Sequence, residues 1–364
     1  MRPRFAALAA VYIATLAGAQ PGGPFLHPAD APPERRFDFW LGQWDVHNRF
    51  IDEDGTERTV EAEAMIWPGL GWQVIVEHWR SKSDAWPMRG FSMRTYDPER
   101  DLWTIALCWP GDGPAKINLM EGSFRNGRVE FFPASTPEGE RPRSRFTFSD
   151  VGPNSLRWDM AVPVEGDERA WRTTWVMEWS RKRFLSTSVA ELHGRGPGEN
   201  RALRWLVGNW GGGVSESPQR EARRIDDGEV RSILDGRALL LYLIDNEVIE
   251  DVPGDNLNHH IERGRERILL IVWDRESERW RAIGMETDGQ FQLFEGDAAD
   301  NGFELTSVDS CDRVVLQQTN DGDGTIWIFS TRESVDDEWI TSTRFEGRSI
   351  QGTMYRYEAR PRPR

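Results

Sequence analysis

Two apolar turns that end in Gly-x-Trp constrain this chain more than any other feature. "FDFWLGQWDV" runs from Phe37 to Val46, and "LRWLVGNWG" runs from Leu203 to Gly211. Phe37, Trp40 and Leu41 fall at i, i+3, i+4, as do Leu203, Leu206 and Val207. Each turn therefore predicts a short helical plug with one apolar face. Further anchors follow both turns in the same order. "IWPGLGWQVIV" from Ile66 matches "ILDGRALLLYL" from Ile233, with Gly69 and Gly236 as turn glycines. "YDPERDLW" from Tyr96 matches "WDRESERW" from Trp273, and "INLMEG" from Ile117 matches "FQLFEG" from Phe291. Phe148, Ser149 and Trp158 keep the spacing of Phe329, Ser330 and Trp339. Anchors in a fixed order predict a tandem duplication.

Within each half the period is that of strands. Trp103, Ile105, Leu107 and Trp109 alternate onto one face, as do Trp171, Thr173, Trp175, Met177 and Trp179. Hairpin signals punctuate the runs: "EDG" at Glu53, "RNG" at Arg125, "TDG" at Thr287 and "NDGDG" at Asn320. A helical turn followed by about eight antiparallel strands fits an up-and-down barrel, which removes its edges by closing. A β-sandwich is the alternative, although it does not demand a plug. The fold expected is all-β: two tandem antiparallel β-barrels, each preceded by a short helical turn.

A length of 364 residues accommodates two such units. Residues 1–19 read as a signal peptide: Arg2 and Arg4 precede an apolar stretch too short to span a bilayer, and Ala17-Gly18-Ala19 supplies the cleavage site. An N-terminal extension (20–33), a first barrel (34–182), a linker (183–201, ending near "HGRGPGEN") and a second barrel (202–364) follow. The placement expected is export, to the periplasm or outside the cell, with no transmembrane segment after cleavage. A formal charge of −15 argues against nucleic acid and anionic membranes as partners. Two cysteines, Cys108 and Cys311, are too few for a disulfide framework. Two buried free thiols are expected, with a single bridge between the halves as the alternative.

"FDFWLGQWDV" followed by "GFSMRTYDPERDLW" resembles a group of uncharacterised bacterial lipocalin-like (calycin-type) proteins with a Phe-x-Phe-Trp-x-Gly-x-Trp-Asp-Val start. The resemblance covers Phe37 to about Lys182 strongly and the second half weakly. It implies a calycin-like barrel and brings no catalytic residues. It also implies that Trp44 and Trp210 lie across the closed ends of their barrels, with Arg181 and Arg360 as cation–π partners. Haem-binding relatives in fold use a late His, and neither "TTWVMEWS" nor "GTMYRYEA" has one.

Tryptophan is unevenly spread: twelve of 18 precede the linker. Because an indole N–H needs a partner, such a cluster suggests a partly wet apolar surface. The function expected is binding of a small apolar or aromatic ligand in the first barrel, lined by Trp72, Trp103, Trp109, Trp158, Trp171 and Trp175. A solid, filled core is the competing reading. The second half, with "LLLYLI" and "ILLIVW", reads as structural.

No catalytic set stands out. Glu77 and His78 are consecutive on an apolar strand, so alternation sends only one of them inward. With Arg94 they are the candidates for an enzyme that uses the barrel as a reaction vessel, an isomerase, cyclase or hydrolase. A structural module of the envelope with filled barrels is a third reading. Glu121 and Glu295 recur in both halves, which suits a structural role. No metal site and no cofactor are expected: His259, His260 and Glu262 cannot all face one ion from a regular strand.

Overall fold

The computed structural model describes residues 25–109, 116–183, 206–213, 224–251, 259–274, 276–287, 289–299, 302–309, 311–319 and 324–349. The expected signal segment, Leu203, Arg360 and all of the linker but Arg183 lie outside the described residues. Among the described residues, twenty strands form two antiparallel sheets of ten, each in chain order. The first holds β1 (Gly42–Ile51), β2 (Glu57–Gly69), β3 (Val74–Ser81), β4 (Arg89–Asp97) and β5 (Leu102–Cys108). It continues with β6 (Ile117–Arg125), β7 (Arg128–Pro133), β8 (Arg145–Ser149), β9 (Ser155–Val164) and β10 (Asp167–Arg183). The second holds β11 (Gly208–Gly213), β12 (Arg224–Ile233), β13 (Ala238–Asp251), β14 (His259–Asp274) and β15 (Arg279–Glu286). Its remaining strands are β16 (Gln292–Ala299), β17 (Gly302–Ser307), β18 (Asp312–Gln318), β19 (Gly324–Thr331) and β20 (Ile340–Ser349).

The first sheet closes fully. β1 pairs with β10 from Gln43↔Arg183 to Phe50↔Trp175, giving a closed antiparallel barrel broadly consistent with a calycin-type fold. It has ten strands where about eight were expected, and added strands widen a barrel. The second sheet corrects the expectation of two equivalent closed barrels. Among the described residues its first and last strands meet at only Trp210↔Ser349 and Gly211↔Arg348. Among the described residues the seam of the second sheet is thus two pairs long, against eight in the first. β11 is short and rich in glycine, so it offers little side-chain surface to hold a seam.

The plug of the first barrel is a 3-10 turn, Asp38–Trp40, tied by the Arg35–Asp38 ion pair at 2.8 Å. Phe37 and Trp40 are wholly buried beneath the barrel. Trp44 donates from its indole to the Trp40 carbonyl at 2.7 Å, and Trp210 repeats the bond to Leu206 at 2.8 Å. Arg181 stacks 4.1 Å over Trp44 and donates to the carbonyls of Phe39, Leu41 and Pro153. Val207 is exposed, unlike its first-half counterpart Leu41, so that apolar face is not shared.

Matching Gly69 with Gly236 also needs correcting. The equivalent 3-10 turns are Leu70–Trp72 and Leu234–Gly236, preceded by Gly69 (φ −126°) and Ile233 (φ −125°). Gly236 (φ 85°) therefore stands where Trp72 (φ 82°) stands. Trp72 takes a left-handed backbone that glycine adopts freely and a bulky residue rarely does.

Three apolar clusters organise the packing. One fills the plug end of the first barrel and one lines the second sheet. The third lies between the two sheets. It joins Met65, Trp67, Val74, Val76, Phe91, Met93 and Ala106 to Tyr242, Ile268, Leu270, Val272 and Ile283. Leu70 and Leu234 both enter it, the Leu70–Trp72 turn touching β14 and the Leu234–Gly236 turn touching β4. Cys108 belongs to this cluster, and burial pushes its thiol up to about 12. Both cysteines are free, but only Cys108 is buried as expected, since Cys311 is half-exposed. No helix among the described residues is long and apolar enough to cross a membrane.

Candidate functional site

The first barrel holds a cavity of about 260 Å³. Alternation along four strands builds it. β3 sends Ile75, Glu77 and Trp79 inward, while Val74, Val76 and His78 face the second sheet. β4 sends in Gly90, Ser92 and Arg94, and β5 sends in Ile105 and Leu107, with Trp109 just beyond. β10 adds Trp175, Met177 and Trp179. Trp40 of the plug forms the floor. Leu107, Trp109, Phe146, Met160 and Trp175 are half-buried and Asn118 is exposed, which places the mouth at the far end from the plug. Gly90 is required there: a Cβ on it would overlap the Trp109 ring.

The walls are indoles in edge or tilted contact. Trp79–Trp109, Trp109–Trp175 and Trp158–Trp175 have centroids 4.9, 5.0 and 5.1 Å apart. Trp40 meets Trp179 at 5.4 Å and 65°, the edge-to-face geometry that ring quadrupoles favour. The indole nitrogens of Trp40, Trp79 and Trp179 are sealed within this cluster and make no hydrogen bond among the described residues.

Against the aromatic floor sits a charged pair. Ser92 Oγ donates to Glu77 Oε2 at 2.6 Å. Arg94 donates to Ser92 Oγ at 3.1 Å and reaches Glu77 Oε2 at 3.4 Å, a single long contact instead of a bidentate one. The guanidinium lies 3.7 Å over the Trp40 ring and 5.4 Å from the Phe37 and Phe148 rings. Burial raises the Glu77 carboxyl above the usual range, outweighing the opposing pull of Arg94 and Ser92. Burial likewise lowers Arg94 to about 10, against the pull of Glu77. For both groups desolvation outweighs mutual attraction, as expected when an ion pair is taken out of water on a weak contact.

The sequence candidates divide among several places. Trp109, Trp158 and Trp175 line the cavity, as do Glu77 and Arg94. Trp103 lies inside but at the plug end, 4.8 Å from Phe37, with its indole donating to the Pro33 carbonyl. Trp72 sits on its turn, away from the cavity lining. Trp171 is turned away by a register shift between Thr173 and Trp175 and packs on Phe132, Arg141 and Arg145, so the expected five-residue face is interrupted. His78 lies between Met65 and Phe91 at the sheet–sheet contact, on the opposite side of the barrel wall from Glu77. The three candidate catalytic residues therefore do not share one cavity. Trp40, Trp79 and Trp179 also line it, although none is among the six tryptophans expected to do so. Trp79 was legible, because it is two residues beyond Glu77 on the same strand.

Elsewhere, Glu121 takes a bidentate pair from Arg100 in the β4–β5 turn at 2.9 Å, and Glu295 pairs with Arg281 of β15 at 3.0 Å, so both recurring glutamates serve structural ion pairs. His259 and His260 begin β14, opposite Asp251 and Glu250. A second cavity, of about 180 Å³, opens in the second sheet beside Arg267, Glu286, Phe294, Asp312 and Phe329. That end is more polar than its aliphatic strands suggested.

No protein-family model matches the chain, and no curated protein matches it in sequence. Among solved structures it is similar to Rv2717c from M. tuberculosis, with 13% identity and a TM-score of 0.30 over 42% of this chain and 99% of that one. It is similar to the S-type phycobiliprotein lyase CPES from Guillardia theta at 10% identity and a TM-score of 0.33, covering 44% of this chain and 100% of that one. A DUF3598-family protein of unknown function from Nostoc punctiforme covers 88% of this chain and 100% of its own, at 9% identity and a TM-score of 0.27.

Proposed function

We propose that the first barrel is a binding vessel for one small, largely apolar aromatic molecule, and that the protein is an exported carrier or sensor of it. The observation that carries this reading is a cavity of about 260 Å³ walled by Trp79, Trp109, Trp158, Trp175 and Trp179 inside a closed barrel. Ligand sites of this kind are concave, mostly apolar and hold a few placed polar groups. Here those groups are Glu77, Arg94 and Asn118. A flat ring stacks on indole faces at small entropic cost, because the walls are already packed on one another. The lipocalin-like start and the barrel support a place among calycin-type binding proteins. The signal-like residues 1–19 support export.

The test is intrinsic tryptophan fluorescence titrated with lipids, isoprenoids, sugars and fused-ring aromatics. The reading expects saturable quenching or a spectral shift with aromatics. Unchanged emission across the whole panel would reject it. Cell fractionation checks export separately: the mature chain should begin near Gln20 and appear outside the cytoplasm.

A further inference from the structure

The polar floor of the cavity narrows what the ligand carries. Glu77 Oε2 is occupied by Ser92 and Arg94, whereas no hydrogen bond reaches Oε1 among the described residues. The Glu77 side chain keeps 11% of its surface accessible, and Arg94 only 4%. Glu77 lines the cavity from the inward face of β3, so the accessible surface opens on the lumen. Oε1 is not among the sealed atoms, while Arg94 Nε and the indole nitrogens of Trp40, Trp79 and Trp179 are. At its floor the cavity thus offers a ligand an acceptor oxygen and withholds those donors.

Charge sets the second condition. Glu77 and Arg94 together add no net charge to a dry site. A ligand ion would bring an unbalanced charge into low dielectric, which is expensive. An anion would also face Glu77, and a cation would approach the Arg94 guanidinium.

Building on the reading above, we infer that the ligand is a neutral aromatic molecule whose inner end bears a hydroxyl that donates to Glu77 Oε1. A phenol-type hydroxyl on a fused ring meets both conditions, with the ring against Trp109, Trp158 and Trp175 and the O–H turned to the floor. A hydrogen bond to this carboxyl oxygen is strengthened by the dry floor, where no water competes for it. Asn118 at the mouth is placed to meet any polar group at the other end.

Isothermal titration calorimetry at neutral pH with four probes of one ring system tests this: 2-naphthol, 2-methoxynaphthalene, 2-naphthoate and 2-naphthylmethylammonium. The expected result is that 2-naphthol binds about ten-fold or more tightly than each of the others, about 1.4 kcal/mol per ten-fold. Glu77→Gln should shrink the naphthol-over-methoxy ratio several-fold. If methoxynaphthalene binds as well as naphthol, the hydroxyl assignment fails while the binding vessel stands. Tightest binding by the naphthoate or the ammonium overturns neutrality. Absence of binding by all four, in a protein that folds normally, overturns the vessel reading itself. The wild-type series decides the matter even if the variant does not fold.

Discussion

At the scale of single residues, Glu77 is where burial and charge oppose each other. Its folded carboxyl is raised above the ordinary 4.5 by desolvation. A raised carboxyl holds its proton more tightly in the folded chain than in the unfolded one. Its contribution to stability is therefore complete below about the ordinary value and is lost as pH rises through the raised one. Glu77→Gln removes that dependence. The stability of the variant relative to wild type should rise between about pH 4 and about pH 8. Urea midpoints of both proteins at the two pH values check the sign, and a difference that falls with pH would contradict it. Alternation correctly said that Glu77 and His78 part company but not which one faces inward. β3 is buried at six consecutive residues, Val74 to Trp79, because the barrel lumen takes one face and the second sheet the other. With no polar face, the phase of the strand was not written in it. Trp171 was misplaced for a different reason: the register shift beside it has no sequence signature of its own.

At the scale of elements, the plug and its lock were the most legible parts. Helical spacing marked Phe37, Trp40 and Leu41, and the family resemblance marked Trp44 and Arg181. The structure joins them through one guanidinium that stacks on Trp44 and binds three carbonyls. Arg181→Ala leaves those carbonyls short of a donor and should cost the first barrel about 2–4 kcal/mol. Arg181→Lys should recover only part of this, since an ammonium cannot reproduce a planar fork. Denaturant unfolding followed by tryptophan emission measures both, and full recovery by lysine would refute the geometric role. The hairpins at "EDG" and "RNG" were equally readable. Gly55 (φ 85°) and the Asn126-Gly127 pair (φ 53° and 76°) supply the left-handed residues their turns need. Turn glycines were less reliable at the matched 3-10 turns, where Trp72 occupies the position that glycine holds in the second half.

At the scale of the whole molecule, the order of anchors foresaw two related sheets but neither their different closure nor their contact. Closure depends on the seam. Eight pairs join β1 to β10, and two described pairs join β11 to β20. Nothing in the local pattern of either half encodes that contrast. The contact was hidden because strands with both faces apolar read simply as buried core. Since Met93, Phe91 and Val76 pack against the second sheet, the sheets should unfold together in one transition. Met93→Asp places an unpaired charge in that contact and should separate the two unfolding steps in calorimetry. A single unshifted transition in the variant would show that the contact contributes little.

Ten strands instead of eight matter most for function, because the wider lumen leaves room that the plug and the indoles do not fill. The most direct test of that claim is the stoichiometry of 2-naphthol binding to wild type and to Leu107→Trp, measured by calorimetry. Leu107 is half-buried near the mouth, so a larger ring there fills the lumen without disturbing the floor. One molecule per chain for wild type and no binding for the variant is the predicted result. Binding that survives Leu107→Trp unchanged would place the ligand elsewhere and contradict the account.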